Sequence, residues 1–520
     1  MIPFDVKGAF CPQARSNELR RLAVRSAAAT MTASTLALAA QVVSTVTLAR
    51  LLTPADFGVV TMVTTFSLLL VSFGLNGFTE AVIQFDEIDH QTASNLFWLN
   101  IAAATGVAVV FASVGPLLGR FYHNSLVPQV TFYLSAGIVI SAASVIHLSL
   151  LKRAIRFTGI AGNDFIGRAV NTAVSIILAL KGWGYWALVA GIIAQQLSVT
   201  IGAWCLCRWI PSLPRRTGKT IPMVRFAAKV YAQFGVAYSQ QNIDNLLIGW
   251  RFNAVALGFY KKAFDLFALT ASQLTAPLNN VALATLSRVN RDHERFRRSL
   301  ASSLGMVAFV GMAASADLTL VGKDVVRLVL GEKWAESGRI FEIFGPGIGA
   351  MLLCSTVGWV HLPLGKPGRW LRWSLVALAF TLTLFLAALR WGPSGVAAAW
   401  SISYWTLLVP GFWYAGRPIG FGVSDLLAAI WKYIVAALAA GGVTTIIVRG
   451  TPLWSTPANT SAALVAIALV SILFVSLYLI AVILLYGGLT PLRELGGLLR
   501  ELAPSRKDST QAVEAAARCD

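Results

Sequence analysis

The residues best suited to chemistry are charged groups stranded in apolar sequence. Lys261 and Lys262 are adjacent, Asp265 follows one helical turn after Lys261, and Asp244 lies in the polar run Ser239-Gln240-Gln241-Asn242-Ile243-Asp244-Asn245. A charge inside a bilayer costs several kcal/mol unless it faces a partner or a wet cavity, so intramembrane charges point to function. Measured from the turn near Arg251, Asp244 lies about 9 Å along one helix and Lys261 about 12 Å along the next, at roughly 1.5 Å per residue. Asp244 is therefore expected to meet Lys261 or Lys262. Two uses fit equally: a static ion pair that locks the helices, or a switch in which protonating Asp244 frees a lysine to hold an anion. On the second use Asp244 and Asp265 are the coupling residues, and Lys261, Lys262, Gln241 and Asn242 line the binding cavity.

Arg25 and Lys229 are expected near the inner ends of the first and seventh spans, where they would attract an anionic head group. Snorkelling to lipid phosphate is the commoner use of such residues. No catalytic or metal constellation accompanies them. The sequence has no glycine-rich phosphate loop and no nucleophile elbow. Its five histidines are far apart, and the cysteines Cys11, Cys205, Cys207, Cys354 and Cys519 are scattered without metal or disulfide spacing. No cofactor is expected, and the chain does not read as an enzyme.

These residues must be positioned by membrane helices. The chain has 520 residues, of which 56% are hydrophobic and 12% charged, too little polar surface for a soluble protein of this size. The apolar residues come in runs of roughly 20, the length that crosses a bilayer, and backbone groups in hydrocarbon can be satisfied there by helices. The fold class is an all-α membrane protein of about 14 transmembrane helices. The eighth run is expected to break or bend near Pro277, Asn279 and Asn280, and residues 322–337 read as a short amphipathic helix at the outer interface.

The formal charge of +19 does not indicate nucleic acid, because the basic residues lie in short loops between apolar runs. Counting Lys and Arg with the N-terminus inside gives about 27 on inner loops and about 10 on outer ones. That balance places both termini in the cytoplasm. The loop Phe85-Asp86-Glu87-Ile88-Asp89-His90 dissents, with no Lys or Arg on what should be an inner loop. The tryptophans Trp183, Trp186, Trp250 and Trp391 read as interfacial anchors.

A weak internal repeat organises the chain. Gln41 precedes Arg50 by nine residues, and Leu51-Leu52-Thr53-Pro54-Ala55-Asp56-Phe57-Gly58 follows. About 200 residues later Asn242 precedes Arg251 by the same interval, followed by Phe252-Asn253-Ala254-Val255-Ala256-Leu257-Gly258. Parallel repeats related by an axis along the membrane normal are a common transporter plan, with the substrate site between the halves. Thr53-Pro54-Ala55-Asp56 also reads as a capping box that starts a helix, with Pro54 at its first position.

The basic lead, the Arg50–Gly58 motif and the later Gln241-Asn242-Ile243-Asp244-Asn245-Leu246-Leu247-Ile248-Gly249 with Ala256-Leu257-Gly258-Phe259-Tyr260 resemble the bacterial polysaccharide flippases of the Wzx type. These form the polysaccharide transporter family of the multidrug/oligosaccharidyl-lipid/polysaccharide exporter superfamily. The resemblance covers roughly residues 20–486. It implies two six-helix lobes related by a pseudo-two-fold around a central cavity, plus two C-terminal helices. The corresponding division is a cytoplasmic segment 1–22, an N-lobe 23–207, a linker 208–223, a C-lobe 224–415, extra spans 416–486 and a cytoplasmic tail 487–520. It further implies flipping of undecaprenyl-diphosphate-linked oligosaccharide repeat units across the cell inner membrane. The products would be exopolysaccharide, capsule or lipopolysaccharide. Besides that substrate, the expected partners are membrane lipids, polysaccharide polymerase and export machinery. The alternatives are a cation-coupled multidrug exporter on the same fold, whose cavity should be acidic, and a polysaccharide polymerase or ligase, which would need a large outer loop.

Overall fold

The computed structural model describes residues 1–10 except 2, 6 and 7, and residues 38–72, 77–85, 87–215, 220–288, 292–361, 367–450 and 460–489. Arg25, the basic lead around it and the tail beyond 489 lie outside the described residues. The described elements are helical, apart from two isolated β-bridges. In order they are α1 (Leu38–Leu51), α2 (Pro54–Ser72), α3 (Thr79–Gln84), α4 (His90–Phe121), α5 (Val127–Arg153), α6 (Phe157–Leu180), α7 (Tyr185–Leu206) and α8 (Thr220–Arg251). Then come α9 (Ala254–Arg288), α10 (His293–Leu330), α11 (Ala335–Phe344), α12 (Gly347–Ser355), α13 (Gly358–His361), α14 (Pro367–Ala388), α15 (Gly392–Gly416), α16 (Val423–Gly450) and α17 (Thr460–Tyr486). Among the described residues eight helical stretches are long and apolar enough to cross a membrane, nine with one bent pair included. The helices α8 and α9, which carry the candidate site, are outside that group because polar residues interrupt them.

The chain divides into two compact units. The first contains Met1–Lys262, Val329–Glu336 and Leu382–Val396; the second contains Ala263–Leu328, Ser337–Thr381 and Ala397–Asp520.

In the first unit α5 is the central helix. Its most apolar stretch is 78% buried, against 17% for α7, which faces outward. A helix buried among others needs small side chains where neighbours approach and satisfied polar groups where they do not. Ser144 and Ser149 of α5 therefore return their hydroxyls to the carbonyls of Ser141 and Val145, at 2.8 and 2.6 Å. Asn100 of α4 donates to the Ala142 carbonyl at 2.9 Å, and Asn163 of α6 to that of Val199 in α7 at 2.9 Å. The acidic loop before α4 also finds its explanation. Asp89 is the N-cap of α4 and accepts from the Thr92 amide at 2.6 Å, so this carboxylate is a helix-start signal.

Residues 322–330 do not form a separate interfacial helix. They are the last turns of the 38-residue α10, and a short 3-10 turn, Glu332–Trp334, follows before α11. The sequence expectation failed because charge on one face of a long helix imitates a short amphipathic one. The chain is next bent by 59° between α11 and α12, at Gly345-Pro346. A proline bend frees carbonyls that lipid cannot satisfy. Here Ser315 donates to Gly345 at 2.7 Å, Ser401 to Ile343 at 3.0 Å and the Trp405 indole to Pro346 at 2.9 Å. The helix α9 continues as one element through Pro277 to Arg288, so of the break or bend expected there the break does not occur. The helix α17 is tied to α10 by Tyr478, whose hydroxyl donates to the Phe309 carbonyl at 2.8 Å, and by Ser471, which donates to Asp317 at 3.2 Å.

Candidate functional site

The site is built on the two repeated helix starts. At the first, the capping box forms as the sequence indicates. The Thr53 amide and hydroxyl donate to the Asp56 carboxylate at 2.9 and 2.7 Å, and the Asp56 amide donates to the Thr53 hydroxyl at 3.3 Å. At the second, Asn253 takes the place of Thr53 and accepts from the Ala256 amide at 2.8 Å.

The two starts pack directly on each other. A methyl group added at Gly58 would sit 1.7 Å from the Ala254 carbonyl oxygen, and one at Gly258 would sit 1.8 Å from that of Pro54. Subtracting 54 from 254 and 58 from 258 gives the same offset of 200 residues, so the contact is reciprocal. Small residues let helix backbones approach this closely, and at each of these contacts one partner is glycine. The repeat seen in the sequence is thus a pseudo-two-fold helix crossing. Trp334 closes over it, fully buried, with its ring 5.5 Å from Phe57 and 5.9 Å from Phe259. The Trp334 indole donates to the Ala49 carbonyl at 2.8 Å, and the Lys333 ammonium to those of Arg50 and Leu52 at 2.8 and 2.7 Å. These bonds satisfy carbonyls at the end of α1 and place a cation at the negative end of its dipole.

Along the crossing helices lie the charged residues. Asp244 of α8 is completely buried and accepts from the Tyr260 hydroxyl of α9 at 2.7 Å, with its other oxygen 2.7 Å from the Asn245 amide. Lys262, 8% exposed, lies with its ammonium 3.8 Å from the centre of the Phe57 ring. A desolvated cation over an aromatic face gains roughly 2 kcal/mol. Lys261, Asp265 and Asn242 are half-buried, whereas Gln241 and Lys229 are exposed. Asn242 donates to the Tyr238 carbonyl at 3.0 Å and accepts from Asn245 at 3.3 Å. Tyr238 and Tyr231 in turn donate to the Thr65 and Leu69 carbonyls, at 3.0 and 3.1 Å, and hold α8 against α2.

The structure thus joins Asp244 to α9 through Tyr260, where Lys261 or Lys262 was the expected partner, and places Lys262 on Phe57 of the first motif. Sequence reasoning missed Tyr260, Phe57 and the Lys333-Trp334 cap. Tyr260 was discoverable, since a buried carboxylate needs a donor and a tyrosine stands two residues before Lys262. The Lys333-Trp334 cap carried no signal, because its partners are more than 280 residues away. Among the described residues no group of His, Cys, Asp and Glu could hold a metal ion. The site offers instead a buried ammonium, Lys262, and a buried carboxylate, Asp244, next to a helix crossing.

A family described as polysaccharide biosynthesis protein matches residues 47–339, more than half of the chain and both repeated motifs. The chain belongs to that family. It is similar to the succinoglycan biosynthesis transport protein ExoT of Rhizobium meliloti (strain 1021), at 25% identity over 59% of this chain and 63% of the relative. It is similar also to the teichuronic acid biosynthesis protein TuaB of Bacillus subtilis (strain 168), at 24% identity over 70% of this chain and 76% of that protein. To the lipopolysaccharide biosynthesis protein WzxC of Escherichia coli (strain K12) it is 22% identical over 55% of this chain and 59% of the relative. The chain therefore spans less than two thirds of ExoT and of WzxC. Among solved structures it is similar to the lipid II flippase MurJ in an inward closed conformation, with a TM-score of 0.71, 15% identity, and 88% and 98% of the two chains covered. A multidrug resistance MATE family transporter in an inward-facing conformation follows at 0.58 and 12%, covering 73% and 94%. At these identities the likeness establishes the fold. The chain is a polysaccharide biosynthesis transporter-family member with multiple membrane helices.

Proposed function

We propose that the chain is a carrier, not an enzyme, that flips undecaprenyl-diphosphate-linked oligosaccharide repeat units from the cytoplasmic to the periplasmic leaflet of the inner membrane by alternating access. The observation that carries this reading is the burial of Lys262 and Asp244 on the helices of the duplicated crossing. Burying charges in a membrane helix is costly and is retained where the charges act. A diphosphate crossing a low-dielectric region needs cations, and Lys261 with Lys262 supplies them. Protonation of Asp244 would change the field around the lysines, with Tyr260 as the donor that holds the carboxylate in place. Asp265 is the second coupling residue, Gln241 and Asn242 meet the sugar, and Arg25 with Lys229 attracts the head group.

On this reading residues 23–207 and 224–415 are the two moving lobes, joined by 208–223 and followed by the extra helices and a cytoplasmic tail, with both termini inside. The names of ExoT, TuaB and WzxC support a polymer precursor as substrate; a polymerase and export machinery downstream belong to the same proposal. The test is polymer export in cells lacking the native gene and carrying the double variant Lys261→Gln/Lys262→Gln, with membrane abundance measured alongside. Export should fall at least tenfold at unchanged abundance; equal export at equal abundance rejects the reading.

A further inference from the structure

The second unit holds a cavity of about 520 Å³ between the starts of α10 and α16 and the end of α17. Its volume is that of a small-molecule site, roughly 300–1,000 Å³. The wall is divided by chemistry. The rim carries Arg297, Arg298, Glu294 and Asp425, two charges of each sign. The floor carries Phe309, Tyr433 and Tyr486. Tyr433 is buried, with its ring 5.7 Å from Phe309 and 5.4 Å from Tyr486. Room for the cavity comes from Gly305: a methyl group there would touch only the Ala429 carbonyl at 3.6 Å and the Tyr433 ring at 3.8 Å.

Three helix ends meeting at one level lie where a membrane helix enters the head-group region. Outside the cavity, α16 and α17 present aliphatic residues to the bilayer; Leu438 and Leu484 are 72% and 75% exposed. A ligand seated here thus has charged surroundings at one end and hydrocarbon at the other. The rim sums to zero net charge, which favours a zwitterion over an anion. Arg297 contacts Asp425 at 3.2 Å, and Arg298 pairs with Glu294. A guanidinium has five N–H donors, so a phosphate can share each arginine with its carboxylate. Asp425 and Glu294 then lie beside the phosphate site, where an ammonium group would be attracted.

We propose that this cavity binds the head of a zwitterionic, amine-bearing phospholipid, phosphate on Arg297 and Arg298, ammonium toward Glu294 and Asp425, and the first part of an acyl chain over Phe309 and Tyr433. The site is independent of the transport reading, since it uses none of the residues assigned there.

The test is native mass spectrometry of the purified full chain titrated in detergent with phosphatidylethanolamine, phosphatidylglycerol or diacylglycerol. One phosphatidylethanolamine should bind, at least tenfold more tightly than phosphatidylglycerol, and diacylglycerol should not bind. The Arg297→Gln/Arg298→Gln variant should lose this binding at least tenfold. Gly305→Leu, which fills the cavity and leaves the rim charges intact, should lose it as well. Equal affinity for phosphatidylglycerol, retention by Gly305→Leu, or full competition by 10 mM inorganic phosphate would overturn the proposal, the last by showing a bare anion site. Export by Gly305→Leu, measured separately, reports on transport alone.

Discussion

The crossing at Gly58 and Gly258 and the cavity at Gly305 use the same residue to opposite ends. At the crossing, missing side chains let two helix backbones touch, and a methyl group would fall within 2 Å of a carbonyl oxygen on either side. At the cavity, the missing side chain leaves space that neighbouring backbones do not enter, with nothing closer than 3.6 Å. Glycine in a membrane helix therefore has no fixed meaning. It closes a gap where the partner is also small, and opens one where the partners are large rings held apart by their own packing. The first arrangement brings buried charges on α8 and α9 beside the N-terminal motif. The second is a receptacle.

The comparison can be broken most forcefully at the crossing. Gly258→Val should displace α9 from α2 and cost about 3 kcal/mol or more, the upper range for overpacking, since backbone and not a flexible side chain stands in the way. A fall in the thermal unfolding temperature of the purified protein checks this, and an unchanged value would mean that the helices do not touch. Next in size is Tyr260→Phe, which removes one hydrogen bond from the buried Asp244 carboxylate and should destabilise by roughly 1.5–3 kcal/mol, the range for hydrogen bonds to charged groups. Restoring stability with the additional change Asp244→Asn would sharpen the assignment, because a neutral amide is less costly to bury. Lys333→Met should cost about 1 kcal/mol by removing donors from the carbonyls at the end of α1 while keeping the apolar stem; proteolysis between α1 and α2 would report the loosened end. Smallest is Gly305→Ala, where the added methyl has ordinary contacts and helix propensity improves, so stability should rise by about 0.5 kcal/mol. A large loss there would erase the distinction between the two glycines.

Several parts of this architecture could be read from residues alone. Thr53-Pro54-Ala55-Asp56 makes its capping bonds within four residues, so local chemistry suffices to identify it. The repeat was visible as a weak similarity, because the close contact in it, each glycine against the backbone at the start of the other helix, involves few side chains. Asp244 and Lys262 stood out because charge is rare in apolar sequence. Other features were hidden. The bend at Gly345-Pro346 could not be told from the unbroken passage through Pro277. One proline sits where Ser315, Ser401 and Trp405 can take up freed carbonyls, and those donors are distant in sequence. The acidic residue Asp89 looked like a departure from the charge rule until its role as the cap of α4 was seen.

By itself the sequence determined that this is a helical membrane protein with charges in the stretches that form α8 and α9, because hydropathy, length and local capping act along the chain. Only the tertiary structure decided which groups those charges meet. Tyr260 on Asp244, Phe57 under Lys262 and Lys333 on the end of α1 are set by how helices pack, and packing brings together residues whose sequence separation carries no record of the contact.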